Sequence, residues 1–290
     1  MGRFLTRLVA LNDRWARPFG EVNHRWLSAL FRPIRPVKDL LNGTWLGHPL
    51  HPAITDVPIG AFVVALGLDI VGQPGGAFWA LVIGQVAFLL SALTGLADYT
   101  DTDGTARARA TLHGTLMVIG GAFTAASIIT RDGGAVAGTV PSALLLIGLL
   151  VIGAAAYVGG DLVFVLGNMV SRHAFRGAGT KWIRLDTGDV ADLLSLPEAT
   201  PTKMRAGIND LVVVRIGSKV HALHAVCAHA GGPLADGTIT PDGCLECPWH
   251  GARYRLSDGA VRRGPSVHDQ PRYEIRAAAG GGYEVRRATA

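Results

Sequence analysis

Two short motifs in the last third of the chain carry the residues best suited to hold a metal. Cys227-Ala-His229 is separated by 17 residues from Cys247-Pro-Trp-His250. A thiolate and a neutral imidazole are both effective ligands for transition metals. Each motif offers one of each within a stretch that a single loop can cover. The spacing therefore predicts two loops that hold one metal centre between them.

The mixed composition of each motif bears on the kind of centre. Structural zinc modules usually pair cysteine with cysteine and histidine with histidine, as in C-x2-C and H-x3-5-H. A Rieske [2Fe–2S] cluster instead needs two cysteines on one iron and two histidines on the other. One Cys and one His in each motif favour the iron–sulfur centre, and a zinc site is the alternative.

The sequence around these motifs resembles a Rieske ferredoxin domain from about residue 180 to the C-terminus. Apolar segments at 211–215 and 220–223 are predicted strands that lead into the first loop, and a Gly264-Pro265 pair follows the second. The resemblance implies an all-β domain of antiparallel sheets that carries one [2Fe–2S] cluster, with the cysteines on a buried iron and the histidines near an exposed tip. The implied ligands of the cluster are Cys227, His229, Cys247 and His250.

The neighbours of the ligands set an expectation for the redox potential. High-potential members of the family carry two further cysteines joined as a disulfide, and the resemblance places Gly232 and Trp249 at those positions. The chain has three cysteines, so Cys244 has no partner for an intrachain disulfide. High-potential members also offer a Ser and a Tyr hydroxyl to the cluster, where this chain has Ala252 and Tyr254. We therefore expect a potential in the lower part of the range of about −150 to +300 mV.

The composition is too apolar for one soluble domain. Of the 290 residues, 49% are hydrophobic and 17% are charged, and the mean hydropathy is +0.31. A bilayer is crossed by about 20 apolar residues in a helix, and four stretches approach or exceed that length. They lie at residues 54–71, 77–96, 112–130 and 142–165. The predicted fold is a multi-pass α-helical membrane domain of four transmembrane helices followed by an all-β Rieske domain.

The placement of positive charge predicts the orientation in the membrane. Eight Lys and Arg residues precede residue 54, two lie between spans two and three, and Arg131 is the only one between spans three and four. Since positive loops stay in the cytoplasm, both termini and the Rieske domain are predicted to be cytoplasmic, in a bacterial cell membrane. The N-terminus shows no secretory signal, and a reduced Cys244 suits that compartment.

The same features divide the chain into four parts. Residues 1–44 mix arginines with aromatic residues and are predicted to be a basic amphipathic arm in the membrane interface. Residues 45–170 are the four-helix transmembrane domain, 171–180 a linker and 181–290 the Rieske domain. The predicted partners are the lipid bilayer and a redox protein such as a reductase, an oxygenase or a respiratory component. Nucleic acid is not expected, because the positive charges flank membrane spans.

The membrane half carries a second group of residues that could do chemistry. The stretch at 45–170 resembles an uncharacterised family of bacterial four-helix membrane domains that open with His-Pro-x-His-Pro, a resemblance that implies a fold and no function. His48, His51, Asp56 and His113 lie near the cytoplasmic ends of their spans in the predicted orientation. Ionisable groups at membrane depth usually face a bundle interior. A haem b, a metal or a quinone site is one interpretation, and helix entry and capping is the other.

Electron transfer is the function that this combination predicts. The protein would be a membrane-anchored, low-potential Rieske ferredoxin that passes single electrons between a membrane or cytoplasmic donor and a redox partner. The alternative is a membrane quinone oxidoreductase component that uses a site at His48, His51 and His113. An oxygenase catalytic subunit is disfavoured, because 40 residues with one histidine follow His250 and leave no room for a 2-His-1-carboxylate iron domain. An electron carrier or oxidoreductase component is therefore favoured over a stand-alone enzyme.

Overall fold

The computed structural model describes residues 2–131, 138–174, 179 and 181–288, with side chains from residue 7 onward. It separates into two compact units, one formed by Met1–Asn42 with Pro49–Asn168 and one by Gly43–His48 with Met169–Ala290. The predicted boundaries at residues 44, 170 and 180 stay predictions, and the linker assigned to 171–180 lies partly outside the described residues.

Among the described residues of the first unit, all regular secondary structure is helical. Its α-helices in chain order are α1 (Gly2–Leu11), α2 (Asp13–Phe31), α3 (Arg35–Asn42), α4 (Leu50–Ile54), α5 (Asp56–Ile70), α6 (Pro74–Tyr99), α7 (Gly104–Ile129) and α8 (Thr139–Gly160). A short π-helical turn, Asp161–Val165, continues α8. Among the described residues, four helical segments are long and apolar enough to cross a membrane. This finding confirms the predicted four-helix part of the fold.

The helices extend beyond the predicted apolar stretches. The first candidate span begins at Leu50 and the third at Gly104, ahead of the predicted starts at residues 54 and 112. Hydropathy identifies only the apolar part of a helix, whereas arginine is nearly as good a helix former as alanine. The third helix therefore includes the polar turn with Arg107 and Arg109.

Salt bridges attach the N-terminal arm to the bundle. The Lys38 ammonium donates to both carboxylate oxygens of Asp101, at 2.5 and 2.6 Å, and both side chains are buried. Arg107 at the start of α7 donates to the Glu21 carboxylate in α2 at 2.6 and 2.7 Å. Part of the charge of this region is therefore neutralised inside the protein, and its predicted interfacial role stays a prediction.

A further ion pair lies at the opposite end of the bundle. The fully buried Arg131 guanidinium donates two parallel hydrogen bonds to Asp69, at 2.7 and 2.5 Å. The Ser142 hydroxyl donates to the same carboxylate at 2.9 Å. The pair joins the end of α5 to the end of α7, and Ser142 adds α8. Arg131 is thus neutralised by a partner, so it contributes little to the positive charge of its loop.

We expect Asp69→Ala to destabilise the helical unit strongly. Removing one member of a buried ion pair leaves an uncompensated charge and costs about 3–5 kcal/mol. The measurement is the thermal unfolding midpoint of the full chain in detergent. The double variant Asp69→Ala with Arg131→Met carries no stranded charge and should recover much of the loss. Equal destabilisation by the single and double variants would contradict the assigned role of the pair.

The second unit is built from two antiparallel sheets, as the resemblance implied. The strands are β1 (Ile183–Leu185), β2 (Thr202–Ala206), β3 (Asn209–Ile216), β4 (Lys219–His224), β5 (Thr238–Ile239), β6 (Cys244–Glu246), β7 (Arg253–Arg255), β8 (Val261–Arg263), β9 (Arg272–Ala277) and β10 (Tyr283–Arg287). The larger sheet has the order β1-β10-β9-β4-β3-β2 and the smaller β5-β6-β7-β8. The two predicted strands, 211–215 and 220–223, form the paired β3 and β4.

The two cysteine–histidine motifs follow strands that belong to different sheets. Cys227 follows the end of β4 in the larger sheet, and Cys247 lies between β6 and β7 in the smaller one. Alternate residues of β3 face one core cluster, which includes Val212, both of these cysteines and Tyr254. Because each loop is anchored on a strand whose side chains enter that core, the two loops are held against one another.

Candidate functional site

The two cysteine–histidine loops share one backbone design. In each loop the cysteine carbonyl accepts from the N–H of a glycine four residues later, and both distances are 3.0 Å. These glycines, Gly231 and Gly251, have φ angles of +86° and +73°, a region that favours glycine. The cysteine N–H in turn donates to a carbonyl five residues later, joining Cys227 to Gly232 at 2.8 Å and Cys247 to Ala252 at 2.9 Å.

The loops bring the thiols together in the interior and the imidazoles together closer to the surface. Cys227 and Cys247 are 0% and 3% exposed, and each thiol shifts the pKa of the other. The rings of His229 and His250 lie 5.0 Å apart, centroid to centroid, at an interplanar angle of 86°. His229 is buried and His250 is half-buried. The four residues therefore sort into a thiol pair and an imidazole pair.

This sorting fits a two-iron centre better than a single ion. A metal lies about 3.1 Å from the centroid of an imidazole that binds it, from a bond of about 2.0 Å and a ring radius of about 1.1 Å. Two such rings at a tetrahedral angle are about 5 Å apart, in agreement with the His229–His250 separation. Among the described residues, no group of three or more His, Cys, Asp or Glu side chains converges as a single metal ion would require.

The protons of the thiol pair are distributed unequally. The hydrogen bond between the two sulfurs and burial raise the pKa of Cys227. The same hydrogen bond, with Cys227 as donor, lowers the pKa of Cys247 to about 7, and the N–H groups of Trp249 and His250 favour its thiolate further. The N–H of His229 does the same for the Cys227 sulfur. Backbone dipoles thus stabilise negative charge on both sulfurs, as thiolate ligands need.

One hydroxyl lies beside the sulfur pair. The Tyr254 oxygen is 3.0 Å from the Cys227 sulfur, and Tyr254 is completely buried. Burial raises the pKa of Tyr254 well above its usual value, so the phenol stays protonated and donates to the thiolate. Ala252, also buried, carries no donor where a serine hydroxyl would stand. The site therefore has the one side-chain donor that the sequence predicted.

We expect Tyr254→Phe to lower the midpoint potential of the cluster. Donation to a ligand sulfur is stronger in the more negative reduced state, so its loss favours the oxidised state. A differential of about 1 kcal/mol corresponds to roughly 40 mV for one electron. Redox titration monitored by EPR measures the shift. Ala252→Ser, which adds a donor, should move the potential upward, and a Tyr254→Phe potential equal to wild type would contradict the assignment.

The two positions that carry a disulfide in high-potential relatives lie next to each other here. A Cβ atom placed on Gly232 would be 3.1 Å from the Trp249 indole ring and 2.8 Å from the Cys247 sulfur. The indole thus covers the glycine where a side chain would otherwise join the loops. All three cysteines are thiols in the structure. Cys244 is buried 3.6 Å from a carboxylate oxygen of Asp242.

A buried glutamine, Gln270, fixes the first loop, and the sequence analysis did not identify it. Its side-chain oxygen accepts from the Ala228 N–H at 2.9 Å, and its side-chain nitrogen donates to the carbonyls of His224 and Val226 at 2.6 and 2.8 Å. Ala228 stands between Cys227 and His229, so these bonds set the position of both candidate ligands. A polar residue in the loop after Gly264-Pro265 was the one available hint.

The start of the predicted linker also contacts the first loop. The Arg172 N–H donates to the Ala228 carbonyl at 3.1 Å. The His173 imidazole is 2.8 Å from the Val226 carbonyl and stacks near His224, with ring centroids 4.5 Å apart. These residues of the linker therefore help to shape the candidate metal centre rather than acting only as a tether.

The structure brings together two of the four residues singled out in the membrane half. The rings of His51 and His113 are 6.2 Å apart at an interplanar angle of 84°. His48 and Asp56 are exposed, and among the described residues they form no larger donor group with this pair. The histidine pair is thus the part of the predicted second site that has a defined geometry.

Comparison with known proteins identifies the second unit. Residues 187–274 match the family model described as the Rieske [2Fe-2S] domain. The chain is 34% identical over 79 residues to the anthranilate 1,2-dioxygenase ferredoxin subunit of Burkholderia cepacia, which covers 27% of this chain and 72% of that protein. It is 33% identical over 61 residues to ferredoxin CarAc of Metapseudomonas resinovorans, which covers 21% of this chain and 56% of that protein.

A solved structure gives a further match. The ferredoxin of carbazole 1,9a-dioxygenase from Nocardioides aromaticivorans IC177 is 27% identical, with a TM-score of 0.31, and the match covers 38% of this chain and 99% of that one. The resemblance of the helical unit to a four-helix family stays a prediction. The family match confirms the Rieske resemblance and implies a [2Fe–2S] cluster. The chain therefore belongs to the Rieske [2Fe–2S] family and carries an electron-transfer domain homologous to the ferredoxin subunits of dioxygenases.

Proposed function

We propose that this protein is a membrane-anchored, low-potential Rieske ferredoxin in which Cys227 and Cys247 hold one iron and His229 and His250 the other. The sorting of the four side chains into a buried thiol pair and a more exposed imidazole pair carries the proposal. The bound cluster supplies one-electron chemistry. The chain makes three contributions. Backbone N–H groups stabilise the thiolates, the Tyr254 hydroxyl donates to the Cys227 sulfur, and Gln270 fixes the first loop.

The tip around His250 is the proposed place of electron exchange. Trp249 is 55% exposed beside it, with ring centroids 6.3 Å apart, and Pro248 is exposed as well. Exposed aromatic residues are enriched where proteins dock. We therefore place a redox protein partner, such as a reductase or an oxygenase, against this apolar tip. The relative that is named as the ferredoxin subunit of anthranilate 1,2-dioxygenase supports that class of partner.

The membrane anchor is proposed from the four apolar helices. Their lengths of 21, 26, 26 and 27 residues meet the requirement of about 20 residues, and many of their apolar side chains are exposed. The excess of Lys and Arg before the first span supports a cytoplasmic location for both termini and the Rieske domain.

The orientation and the redox role are tested together with a membrane-impermeant oxidant. Membrane vesicles of both orientations are reduced, and ferricyanide is added outside while the EPR signal of the cluster is followed. We expect rapid oxidation in inside-out vesicles and slow oxidation in right-side-out vesicles. The opposite pattern would contradict the cytoplasmic placement, and loss of the signal from the membrane fraction would contradict the anchor.

A membrane quinone oxidoreductase component is the second candidate function. The observation that favours it is the paired imidazoles of His51 and His113 inside the helical unit, which a simple anchor does not need. Under this function, a quinol should reduce the cluster in membranes, and replacing either histidine should stop that reduction. If a quinol reduces the cluster neither in wild type nor in the variants, the quinone function is contradicted and the electron-carrier function remains.

A further inference from the structure

His51 and His113 in the helical unit are each held by the same kind of hydrogen bond to the backbone of another helix. The Nδ1 atom of His51 lies 2.9 Å from the Ser91 carbonyl oxygen on α6. The Nδ1 atom of His113 lies 2.8 Å from the Ala155 carbonyl oxygen on α8. A carbonyl only accepts, so Nδ1 carries the proton in both rings, and each Nε2 keeps its lone pair. A hydrogen bond of this kind from the other ring nitrogen is typical of metal-bound histidine.

A glycine stands four residues after each accepting carbonyl. A Cβ atom on Gly95 would lie 2.9 Å from Cε1 of His51, and one on Gly159 would lie 3.1 Å from Cε1 of His113. In an α-helix a carbonyl points toward the N–H four residues later, so a side chain there would block the approach of the imidazole. The two imidazole rings therefore come from α4 and α7. The carbonyl that faces each ring, and the glycine that leaves room for it, lie in α6 and in α8 respectively. Simple burial would not require this repeated arrangement.

The separation of the rings indicates how they would share a metal. Two imidazoles on one metal have centroids about 3.1 Å from it, so rings on opposite sides lie about 6.2 Å apart. The His51–His113 separation is 6.2 Å, whereas His229 and His250, at 5.0 Å, match a tetrahedral angle. Two imidazoles on opposite sides of a metal can have nearly perpendicular ring planes, because each ring can rotate about its own metal–nitrogen bond without changing its distance to the metal. The pair therefore suits two axial positions.

The remaining ligands must come from outside the protein. Among the described residues, no third His, Cys, Asp or Glu joins the pair in a metal-binding group. A porphyrin supplies four equatorial nitrogens and leaves two axial positions, and helix bundles hold such cofactors between facing helices. We propose that His51 and His113 are the axial ligands of one haem within the helical unit. This inference is independent of the Rieske cluster in the other unit.

Hemin titration of the purified full-length chain in detergent is the test. We expect saturation at about one hemin per chain and, after reduction, the sharp visible bands of a low-spin, six-coordinate haem. His51→Gln and His113→Gln each keep a donor for the partner carbonyl, so a merely structural role would survive in them. Both should lose the six-coordinate spectrum and bind hemin about 100-fold or more weakly. His24→Gln is the matched control, because the His24 ring also lies against a backbone carbonyl of the helical unit, that of Thr100 at 3.0 Å, and this variant should bind hemin as wild type does.

The outcomes separate the haem site from the Rieske proposal. The EPR signal of the cluster, recorded on the same samples, should stay unchanged, and the thermal unfolding midpoint of each variant in detergent shows that the helical unit is folded. Wild-type protein that binds no stoichiometric hemin would overturn the inference, as would binding that the two glutamine variants leave unaffected. Copper in place of haem in the purified protein would overturn it too. Loss of the cluster signal with intact hemin binding would count against the Rieske proposal alone.

Discussion

Cys227→Ser and Cys247→Ser are each expected to abolish the [2Fe–2S] cluster. Each thiol is proposed as one of only two protein ligands on the same iron, and a serine hydroxyl is a much weaker ligand for that metal. Both cysteines belong to the buried core that also contains Tyr254. Iron content should fall from about two ions per chain to nearly none, with loss of the visible absorption and EPR signal.

Cys244→Ser is the matched control for the ligand variants. Cys244 is also buried, and it lies in β6 only three residues from Cys247. Its thiol contacts Asp242 rather than the sulfur pair, so the variant should keep its iron and its spectrum. A cluster lost in Cys244→Ser and retained in Cys247→Ser would reverse the proposed ligand assignment.

Gly259→Ala is expected to be the most destabilising single-methyl addition in the second unit. The new Cβ would lie 2.0 Å from the Gln270 carbonyl oxygen, and Gly259 has a φ angle of +78°. The Gln270 N–H donates to the Gly259 carbonyl at 2.8 Å, so the two backbones cannot separate without breaking that bond. Since Gln270 also holds Ala228 between two ligands, the strain would reach the cluster loop.

The expected cost is at least about 3 kcal/mol, from the clash and the left-handed backbone together. It should lower the midpoint of thermal cluster loss by roughly 10 °C or more. Gly243→Ala is the matched control, because Gly243 has a φ angle of +75° and no described atom lies within 4 Å of its added Cβ. That variant should lose only about 1–2 kcal/mol. Equal losses in the two variants would show that the contact with Gln270 is unimportant.

The sequence predicted the parts of the protein that local chemistry determines. Cysteine and histidine spacing identified the two loops, because each loop is a short contiguous segment whose ligands its own backbone positions. The four apolar helices were visible because a membrane span needs a long apolar stretch. Ala252 and Tyr254 were recognised as the absent and present donors, since both follow a ligand directly.

Contacts between residues that are far apart in the chain could not be predicted from the sequence. Gln270 reaches the first loop through side-chain bonds that span more than 40 residues, and one polar residue in a loop does not reveal its contact. His51 and His113 were both noted, but their contacts with Gly95 and Gly159 were not predicted, because these contacts depend on how two helices pack. Helix starts were displaced for a different reason, since charged turns such as the one with Arg107 are helical without being apolar.

The most direct test of the central claim is the ligation of the cluster in the reduced full-length protein. EPR of the purified protein should show a rhombic signal with an average g value below that of the free electron. Pulsed measurements on the same sample should detect two strongly coupled imidazole nitrogens, one of which disappears in His229→Cys and one in His250→Cys. A signal without coupled nitrogens, or stoichiometric zinc with no iron, would contradict the account.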